Sequence, residues 1–177
     1  MMFLEKLHTI KAFIFDVDGV LTDGTVHVTE SGEQLRRFNI KDGYALQLAV
    51  KRGYPVAVIS GAKSLGVISR LKGLGIKSIY TGIDNKMLVF EKFIVENNIS
   101  QDQIAYMGDD VPDLLIMKKV GLPTCPADAV EEIKAVSLYI SPKNGGFGCA
   151  RDIIEKVLKI QNKWHDENPS ADDGSLG

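Results

Sequence analysis

The stretch that decides the fold is KAFIFDVDGVLTDG, Lys11 to Gly24, in which a run of apolar β-formers ends in aspartates and glycines. Asp16 and Asp18 directly follow the apolar run. A buried strand tolerates ionised carboxylates poorly, because a charge taken out of water is destabilising unless an opposite charge compensates it. The stretch therefore predicts a buried strand that delivers acidic side chains to a cationic site.

Composition limits the classes of protein that this chain can belong to. The 177 residues are 45% hydrophobic, enough for one domain with a proper core. We expect that domain to span residues 1–164, and the small, polar and acidic stretch 165–177 to be disordered. A formal net charge of -2 gives no reason to expect nucleic acid or a membrane as a partner. The two cysteines lack metal-ligand spacing and the first fifteen residues do not resemble a signal peptide, so a cytoplasmic location is expected.

Strand-like and helix-like patterns alternate along most of the chain. After the first strand, apolar runs at 55–60, 77–82 and 103–108 indicate further strands. The predicted helices cover residues 42–52, 64–72, 85–96, 111–118 and 151–163. This alternation predicts an α/β fold, a doubly wound Rossmann-like parallel sheet with helices on both faces. In such a sheet the polar residues that follow the strands gather at one edge.

One segment, TVHVTESGEQLRRF at 25–38, breaks this alternation. Its polar and apolar residues alternate around a Ser31-Gly32 turn, which predicts a β-hairpin with Val28 opposite Leu35. An isolated hairpin is only marginally stable in water. Its apolar side chains are therefore expected to pack against another subunit, or else to lie as a flap on the chain's own domain.

The ends of the predicted strands carry side chains that suit one kind of chemistry. They are Asp16 and Asp18 after the first strand, Ser60 after the second, Lys86 in the helix beyond the third, and Asp109, Asp110 and Asp113 in GDDVPD after the fourth. A phosphoryl group carries negative charge on three oxygens, so its transfer needs a cation and hydrogen-bond donors beside a nucleophile. Carboxylates, a hydroxyl and an ammonium group at one sheet edge meet that need.

The four motifs FDVDGVLTDG, VISG with Ser60, Lys86 and GDDVPD resemble, in order and spacing, those of the haloacid dehalogenase-like phosphotransferase superfamily. The resemblance covers residues 11–163. It implies that Asp16 is the nucleophile and forms an aspartyl-phosphate. It also implies that Asp18 is the general acid that protonates the leaving alcohol and the base that then deprotonates water.

The same resemblance implies a cofactor and a phosphate-binding set. Mg²⁺ prefers oxygen ligands, and those implied here are Asp16, the backbone carbonyl of Asp18 and Asp109. Asp110 and Asp113 would orient waters or the lysine. The groups implied to hold the phosphoryl oxygens are Ser60, Gly61 and Lys86, with the backbone amides of Val17 and Asp18 assisting.

Members of this superfamily usually cover the active site with a cap domain, and this chain has no room for one. Between Asp18 and Ser60 only the hairpin and one helix fit, and between Ser60 and Lys86 only a helix and a strand. This capless pattern, with the late GGFGCARDIIEKVL, resembles the 3-deoxy-D-manno-octulosonate 8-phosphate phosphatase family. The resemblance implies a homotetramer whose hairpins form a central barrel, and a role in lipopolysaccharide inner-core synthesis.

The sugar acid itself stays open at this stage. This chain has Ala62 and Lys63 where the family often has an arginine, and Lys41 where another arginine is common. The alternative substrates are 2-keto-3-deoxynononate 9-phosphate and a sialic acid 9-phosphate. The candidate cations for the rest of the substrate are Lys41, Lys63, Arg70 and Arg151. A non-catalytic oligomerisation module can dispense with the nucleophile, and a signalling receiver domain lacks the GDDVPD carboxylates, so both are weaker alternatives.

Overall fold

The computed structural model describes residues 2–165 of the chain. Its strands are β1 (Ala12–Phe15), β2 (His27–Val28), β3 (Gln34–Leu35), β4 (Val56–Ser60), β5 (Ser78–Thr81), β6 (Ile104–Met107), β7 (Leu122–Cys125) and β8 (Tyr139–Ile140). Its helices are α1 (Met2–Thr9), α2 (Ile40–Lys51), α3 (Leu65–Gly73), α4 (Lys86–Asn97), α5 (Leu114–Met117), α6 (Glu131–Val136) and α7 (Cys149–Ile160). Apart from His165, the stretch 165–177 that was predicted to be disordered lies outside the described residues.

Six of these strands form one sheet in the order β5-β4-β1-β6-β7-β8, and every neighbouring pair is parallel. Strand β1 takes an inner position because all four of its AFIF side chains are apolar and buried, as a strand covered on both faces requires. The predicted doubly wound α/β fold is confirmed. Because β4 and β6 flank β1, the residues that follow these three strands emerge side by side.

Alternate residues of β1 face two separate hydrophobic cores. Phe13 and Phe15 face a core that also contains residues of α1, α2, α3 and α7. Ala12 and Ile14 face a second core built with residues of α4, α5 and α6. All four side chains are at most 1% exposed. Packing on both faces therefore holds the end of β1, and the residues just beyond it, in place.

The predicted helices between residues 40 and 97 are present, with ends shifted by one or two residues. Their starts are set by Asn39, Ser64 and Asn85, whose side chains accept a hydrogen bond from a backbone N–H in the first turn. The predicted helix at 111–118 is instead a 3-10 turn at Val111–Asp113 followed by the short α5. None of the helices in residues 2–165 has the length and apolar character needed to cross a bilayer.

The structure also contains elements that the sequence pattern did not predict, namely α1, β7, α6 and β8. Strand β7 was missed because its sequence LPTC contains Pro123. Proline lacks the backbone N–H that a strand ladder uses, so it argues against an inner strand. The sheet nevertheless continues through β7, with Pro123 in register with Tyr106 of β6.

Strands β2 and β3 form the predicted hairpin, but in a different register. Val28 pairs with Gln34, and His27 pairs with Leu35. Residues directly opposite one another share a face, and successive residues alternate between faces. Val28 and Leu35 therefore lie on opposite faces of the hairpin, and the prediction that they face each other is wrong.

The turn explains this difference of one residue. It spans Thr29 to Glu33, an odd number of residues, and is closed by the Thr29 N–H donating to the Glu33 carbonyl at 3.0 Å. Gly32 adopts a left-handed conformation with φ +84°, which a residue with a side chain would adopt less easily. The sequence alternation is compatible with either register, so the turn geometry decides it.

The predicted lack of a cap domain holds for the described residues. Between β1 and β4 the chain contains the hairpin and α2, and between β4 and α4 it contains α3 and β5. The carboxyl end of β1 is therefore open to one side of the molecule unless something outside this chain covers it.

Candidate active site

Asp16 follows β1 directly and lies in the wall of a cavity of about 500 Å³. Its side chain is 13% exposed, and its Oδ2 lies 2.9 Å from the Nζ of Lys86. The Val17 N–H, which was predicted to assist in holding the phosphoryl oxygens, donates here to Asp16 Oδ1 at 2.7 Å. Burial raises the pKa of Asp16 to about 7; the Asp113 carboxylate raises it too, and Lys86 lowers it.

Lys86 is held between two carboxylates at the start of α4. Its Nζ donates to Asp113 Oδ1 at 2.8 Å, and the Tyr106 hydroxyl donates to the same oxygen at 2.6 Å. The other Asp113 oxygen accepts the backbone N–H of Asp109 at 3.1 Å. Burial lowers the pKa of Lys86, but Asp16 and Asp113 raise it more strongly, so the amine is favoured in its charged form. Asp113 is thus placed to orient Lys86.

A group of carboxylates beside Asp16 fits a divalent cation. Asp16, Asp109 and Asp113 place oxygens within 4.8 Å of one another. Asp109 Oδ1 is buried and, among residues 2–165, has no hydrogen-bond partner. Burial raises the pKa of Asp109 to about 8, and the Asp16 and Asp113 charges add to that effect. Mg²⁺ prefers carboxylate oxygens as ligands, and its charge would offset the repulsion among these crowded groups. Because Asp113 already accepts hydrogen bonds from Lys86 and Tyr106, Asp16 and Asp109 fit the ion best.

Glycines allow two loops to close tightly around this group. Gly19 has φ +84°, and a Cβ at this position would overlap Asp109 Oδ2, so the carboxylate lies directly against the loop that carries Asp18. On the other side, a Cβ at Gly145 would overlap the carbonyl oxygen of Gly19. The NGGFG loop therefore supports the loop after β1, a role that its sequence did not reveal.

Ser60 and Gly61 complete the cavity opposite Asp109. Ser60 ends β4, the neighbour of β1, and its Oγ accepts the Ala62 N–H at 3.2 Å. Gly61 is not crowded, because an added Cβ would meet the Ile83 carbonyl oxygen at 3.7 Å, an ordinary van der Waals distance. Both residues line the same cavity as Asp16 and Lys86, so a phosphoryl group there would meet a hydroxyl, a backbone amide and an ammonium group.

Asp110 also lines the cavity, but it is exposed and has a local structural partner. Its Oδ1 accepts the Val111 N–H at 2.7 Å and so caps the 3-10 turn that follows. The structure thus separates the three carboxylates of GDDVPD: Asp109 lies close to Asp16, Asp110 caps a turn, and Asp113 binds Lys86.

Asp18 lies at the rim of the cavity with its side chain 34% exposed. Both of its oxygens are bound by Arg36 of the hairpin, at 2.7 Å from Nε to Oδ1 and 3.2 Å from Nη2 to Oδ2. Sequence reasoning missed Arg36. The available signal was that a carboxylate two residues after Asp16 needs its own cation, and that the hairpin segment carries two adjacent arginines.

Comparison with known proteins identifies the relatives of this chain. No family model matches it. A protein of Escherichia coli K12 named 3-deoxy-D-manno-octulosonate 8-phosphate phosphatase KdsC is 36% identical over 160 residues, 90% of this chain and 85% of the relative. The chain belongs to the KdsC family. The predicted family and superfamily are thereby confirmed.

Solved structures of the KdsC family show the same fold. A 3-deoxy-D-manno-octulosonate 8-phosphate phosphatase from Yersinia pestis matches with a TM-score of 0.90 at 31% identity, covering 92% of this chain and 88% of that one. The 3-deoxy-D-manno-octulosonate 8-phosphate phosphatase from Moraxella catarrhalis was solved in complex with a magnesium ion, a phosphate ion and a KDO molecule. It matches with a TM-score of 0.87 at 36% identity, covering 90% of this chain and 91% of that one.

None of the four cations predicted to bind the rest of the substrate lines the Asp16 cavity of its own chain. Lys41 and Arg151 line a second cavity of about 440 Å³ at the start of α7, where Arg151 pairs with Glu155 at 3.0 Å. The Lys63 side chain packs against Gly82, and the Arg70 guanidinium packs beside Gly43 of α2. Each has a local contact away from Asp16, so the role of these four side chains as substrate ligands stays a prediction.

Proposed function

We propose that this chain is a Mg²⁺-dependent phosphatase that hydrolyses 3-deoxy-D-manno-octulosonate 8-phosphate through an aspartyl-phosphate on Asp16. The observation that carries the proposal is the meeting of Asp16, Lys86 and the unpartnered Asp109 Oδ1 around one cavity in a member of the KdsC family. The Moraxella catarrhalis relative, which holds magnesium, phosphate and KDO together, supports the same assignment.

The residues divide the reaction into two displacements at phosphorus. A carboxylate oxygen of Asp16 attacks the phosphorus, the bond from phosphorus to the sugar oxygen breaks, and Asp18 gives its proton to that oxygen. A water molecule then attacks the same phosphorus and passes a proton to Asp18. The bond from phosphorus to Asp16 breaks, which releases inorganic phosphate and restores the Asp16 carboxylate and the protonated Asp18.

The remaining groups of the cavity serve the charge on the phosphoryl oxygens. Lys86 lies 2.9 Å from Asp16, so it can hold a phosphoryl oxygen while it favours the ionised form of the nucleophile. Ser60 and the Gly61 amide would hold the other oxygens. Mg²⁺, held by Asp16 and Asp109, would neutralise charge on the phosphoryl group and relieve the repulsion among the carboxylates.

The hairpin supports an oligomeric form of the enzyme, and we propose the tetramer that the family resemblance implies. Val28 is 69% exposed, Leu35 is 54% exposed and the adjoining Ile40 is 80% exposed. Val28 and Leu35 lie on opposite faces of the hairpin, so both of its faces present an exposed apolar side chain. Exposed apolar side chains concentrated in one short segment are typical of a region that another subunit covers. A neighbouring subunit could also close the active site, which the described residues leave open. A cytoplasmic location and a role in lipopolysaccharide inner-core synthesis belong to the same proposal.

Steady-state kinetics on the eight-carbon and nine-carbon sugar-acid phosphates test the proposed substrate. We expect kcat/KM to be at least about tenfold higher for 3-deoxy-D-manno-octulosonate 8-phosphate, a difference of about 1.4 kcal/mol in transition-state binding. Asp16→Asn is the control and should release no phosphate from any substrate, because its amide is a poor nucleophile. A preference for the nine-carbon compounds would select the alternative substrates. No turnover of these or of an aryl phosphate would favour the non-catalytic module.

A further inference from the structure

Arg36 is the hairpin residue that reaches the active site. The strand residues of the hairpin are exposed, whereas the Arg36 side chain is only 4% exposed. Its guanidinium donates through Nε and Nη2 to the two oxygens of Asp18, and through Nη1 to the Gln34 carbonyl at 3.4 Å. A guanidinium withdrawn from water in this way needs a carboxylate partner, and this one has Asp18.

The neighbouring arginine shows that this contact is specific to position 36. Arg37 has a side chain that is 69% exposed, and it pairs with Asp23 at 2.8 Å. Its guanidinium carbon lies 5.5 Å from the centre of the Phe147 ring. The two arginines are adjacent in sequence and both pair with an aspartate, but only Arg36 contacts the carboxylate at the rim of the Asp16 cavity.

An aspartate that passes protons to and from a reacting phosphoryl group must point in a defined direction, because misplacement by a fraction of an ångström slows the transfer. A forked pair of hydrogen bonds from a planar guanidinium fixes both the position and the plane of a carboxylate, the form in which Asp18 would accept the proton of the attacking water. Among residues 2–165, the Asp18 carboxylate accepts one further hydrogen bond, a long one of 3.5 Å from the Thr22 hydroxyl to Oδ1. The orientation of Asp18 therefore depends mainly on Arg36.

We propose that Arg36 is a positioning residue, which orients Asp18 for its work at the phosphoryl group and thereby makes the placement of the hairpin a condition for efficient turnover. The inference rests on the proposed function, since it assigns Arg36 a role in that reaction. The hairpin also carries the exposed apolar residues of the proposed subunit interface, so assembly and the orientation of Asp18 are joined through a single side chain.

The test compares Arg36→Gln with Arg36→Lys and with the matched control Arg37→Gln. Each variant is assayed on the sugar phosphate and on p-nitrophenyl phosphate, and the fraction of enzyme carrying a phosphoryl group is measured by mass spectrometry after rapid quenching. We expect Arg36→Gln to lower kcat on the sugar phosphate about 10- to 100-fold, with KM changed less than about threefold, which corresponds to the loss of a charged hydrogen-bond pair.

The phosphorylated fraction separates positioning from a merely structural role. A misoriented Asp18 is a poor base for the water that attacks the aspartyl-phosphate, so Arg36→Gln should accumulate phosphorylated enzyme on both substrates. Arg36→Lys keeps the buried charge but loses the fork, so it should recover part of kcat and accumulate less. Arg37→Gln should stay within about twofold of the wild type in kcat and in phosphorylated fraction, because its ion pair is exposed.

Several outcomes would overturn the role of Arg36. They are an unchanged kcat in Arg36→Gln, an equal loss in Arg37→Gln, or a rise confined to KM, which would make Arg36 a substrate ligand instead. If Arg36→Gln does not fold by thermal melting, Arg36→Lys decides alone, and wild-type kcat with no added phosphorylated enzyme in that variant refutes the proposal. Failure of the proposed phosphatase activity is distinct, because the wild-type enzyme would then neither turn over p-nitrophenyl phosphate nor become phosphorylated.

Discussion

Replacing Asp109 with asparagine should make the metal-free protein more stable while it removes the binding of Mg²⁺. Asp109 Oδ1 is buried and has no hydrogen-bond partner among the described residues, and its pKa is raised by burial and by the Asp16 and Asp113 charges. Asparagine has nearly the same shape and no charge. It therefore relieves the repulsion without leaving a void.

The size and sign of this effect follow from the pKa of Asp109. Folding raises it from 3.8 to about 8. In the unfolded chain the group ionises near its ordinary value, so the unfolded state binds fewer protons between about pH 4 and pH 8, and the stability of the metal-free wild type falls as pH rises through that window. One pKa unit corresponds to about 1.4 kcal/mol, so this shift could change the free energy of unfolding by at most about 6 kcal/mol. Because Asp109 is half-buried and its pKa depends partly on the charge of Asp16, we expect a gain in stability of about 2–3 kcal/mol.

Thermal unfolding in EDTA across this pH range measures the effect. Asp109→Asn should match the wild type near pH 4 and exceed it at the alkaline end by roughly 4–12 °C, from about 2–4 °C per kcal/mol for a chain of this size. The control is Asp110→Asn, whose exposed side chain caps a turn that asparagine caps equally well. Its charge contributes less to the raised pKa of Asp109 than burial, Asp16 and Asp113 do, so its pH-dependent gain should be much smaller than that of Asp109→Asn. Mg²⁺ should raise the melting temperature of the wild type and of Asp110→Asn but hardly that of Asp109→Asn. An Asp109→Asn protein no more stable than the wild type at alkaline pH in EDTA would refute this reasoning.

Three further predictions concern turnover, assembly and loop packing. Asp18→Asn should be nearly inactive and should accumulate phosphorylated enzyme, detectable by mass spectrometry, because the base for hydrolysis is gone; a variant that never carries the phosphoryl group would weaken that role. Val28→Asp with Leu35→Asp should dissociate the oligomer in sedimentation and lower activity on the sugar phosphate, while an aryl phosphate is still hydrolysed slowly; a fully active monomer would exclude closure by a neighbour. Gly145→Ala should lower activity and melting temperature, because a Cβ there overlaps the Gly19 carbonyl. The control Gly73→Ala, where a Cβ meets nothing within 4 Å, should be neutral or slightly stabilising, and equal effects of the two substitutions would contradict the packing argument.

The predicted elements were most accurate where one local signal dominates. The apolar run before Asp16 forms a buried strand because all four of its side chains are apolar. The helices after Asn39, Ser64 and Asn85 begin where a capping side chain accepts a hydrogen bond from a free backbone N–H of the first turn. The hairpin register was wrong by one residue, because the alternation alone allows two pairings and the turn chooses between them. Strand β7 was missed because Pro123 carries a local signal that the packing of the sheet overrides.

The sequence by itself determined the family, the α/β fold and the set of residues that gather at the carboxyl edge of the sheet. It could do so because parallel strands bring their ends together whatever the details of packing, and the motifs depend only on residue type and spacing. Only the tertiary structure decided how those residues divide their work. Asp109 keeps an unpartnered oxygen while Asp113 is bound by Lys86 and Tyr106, and Asp18 is held by Arg36 eighteen residues further along the chain. Such assignments depend on burial and on the direction of each side chain, and these exist only once the chain has folded.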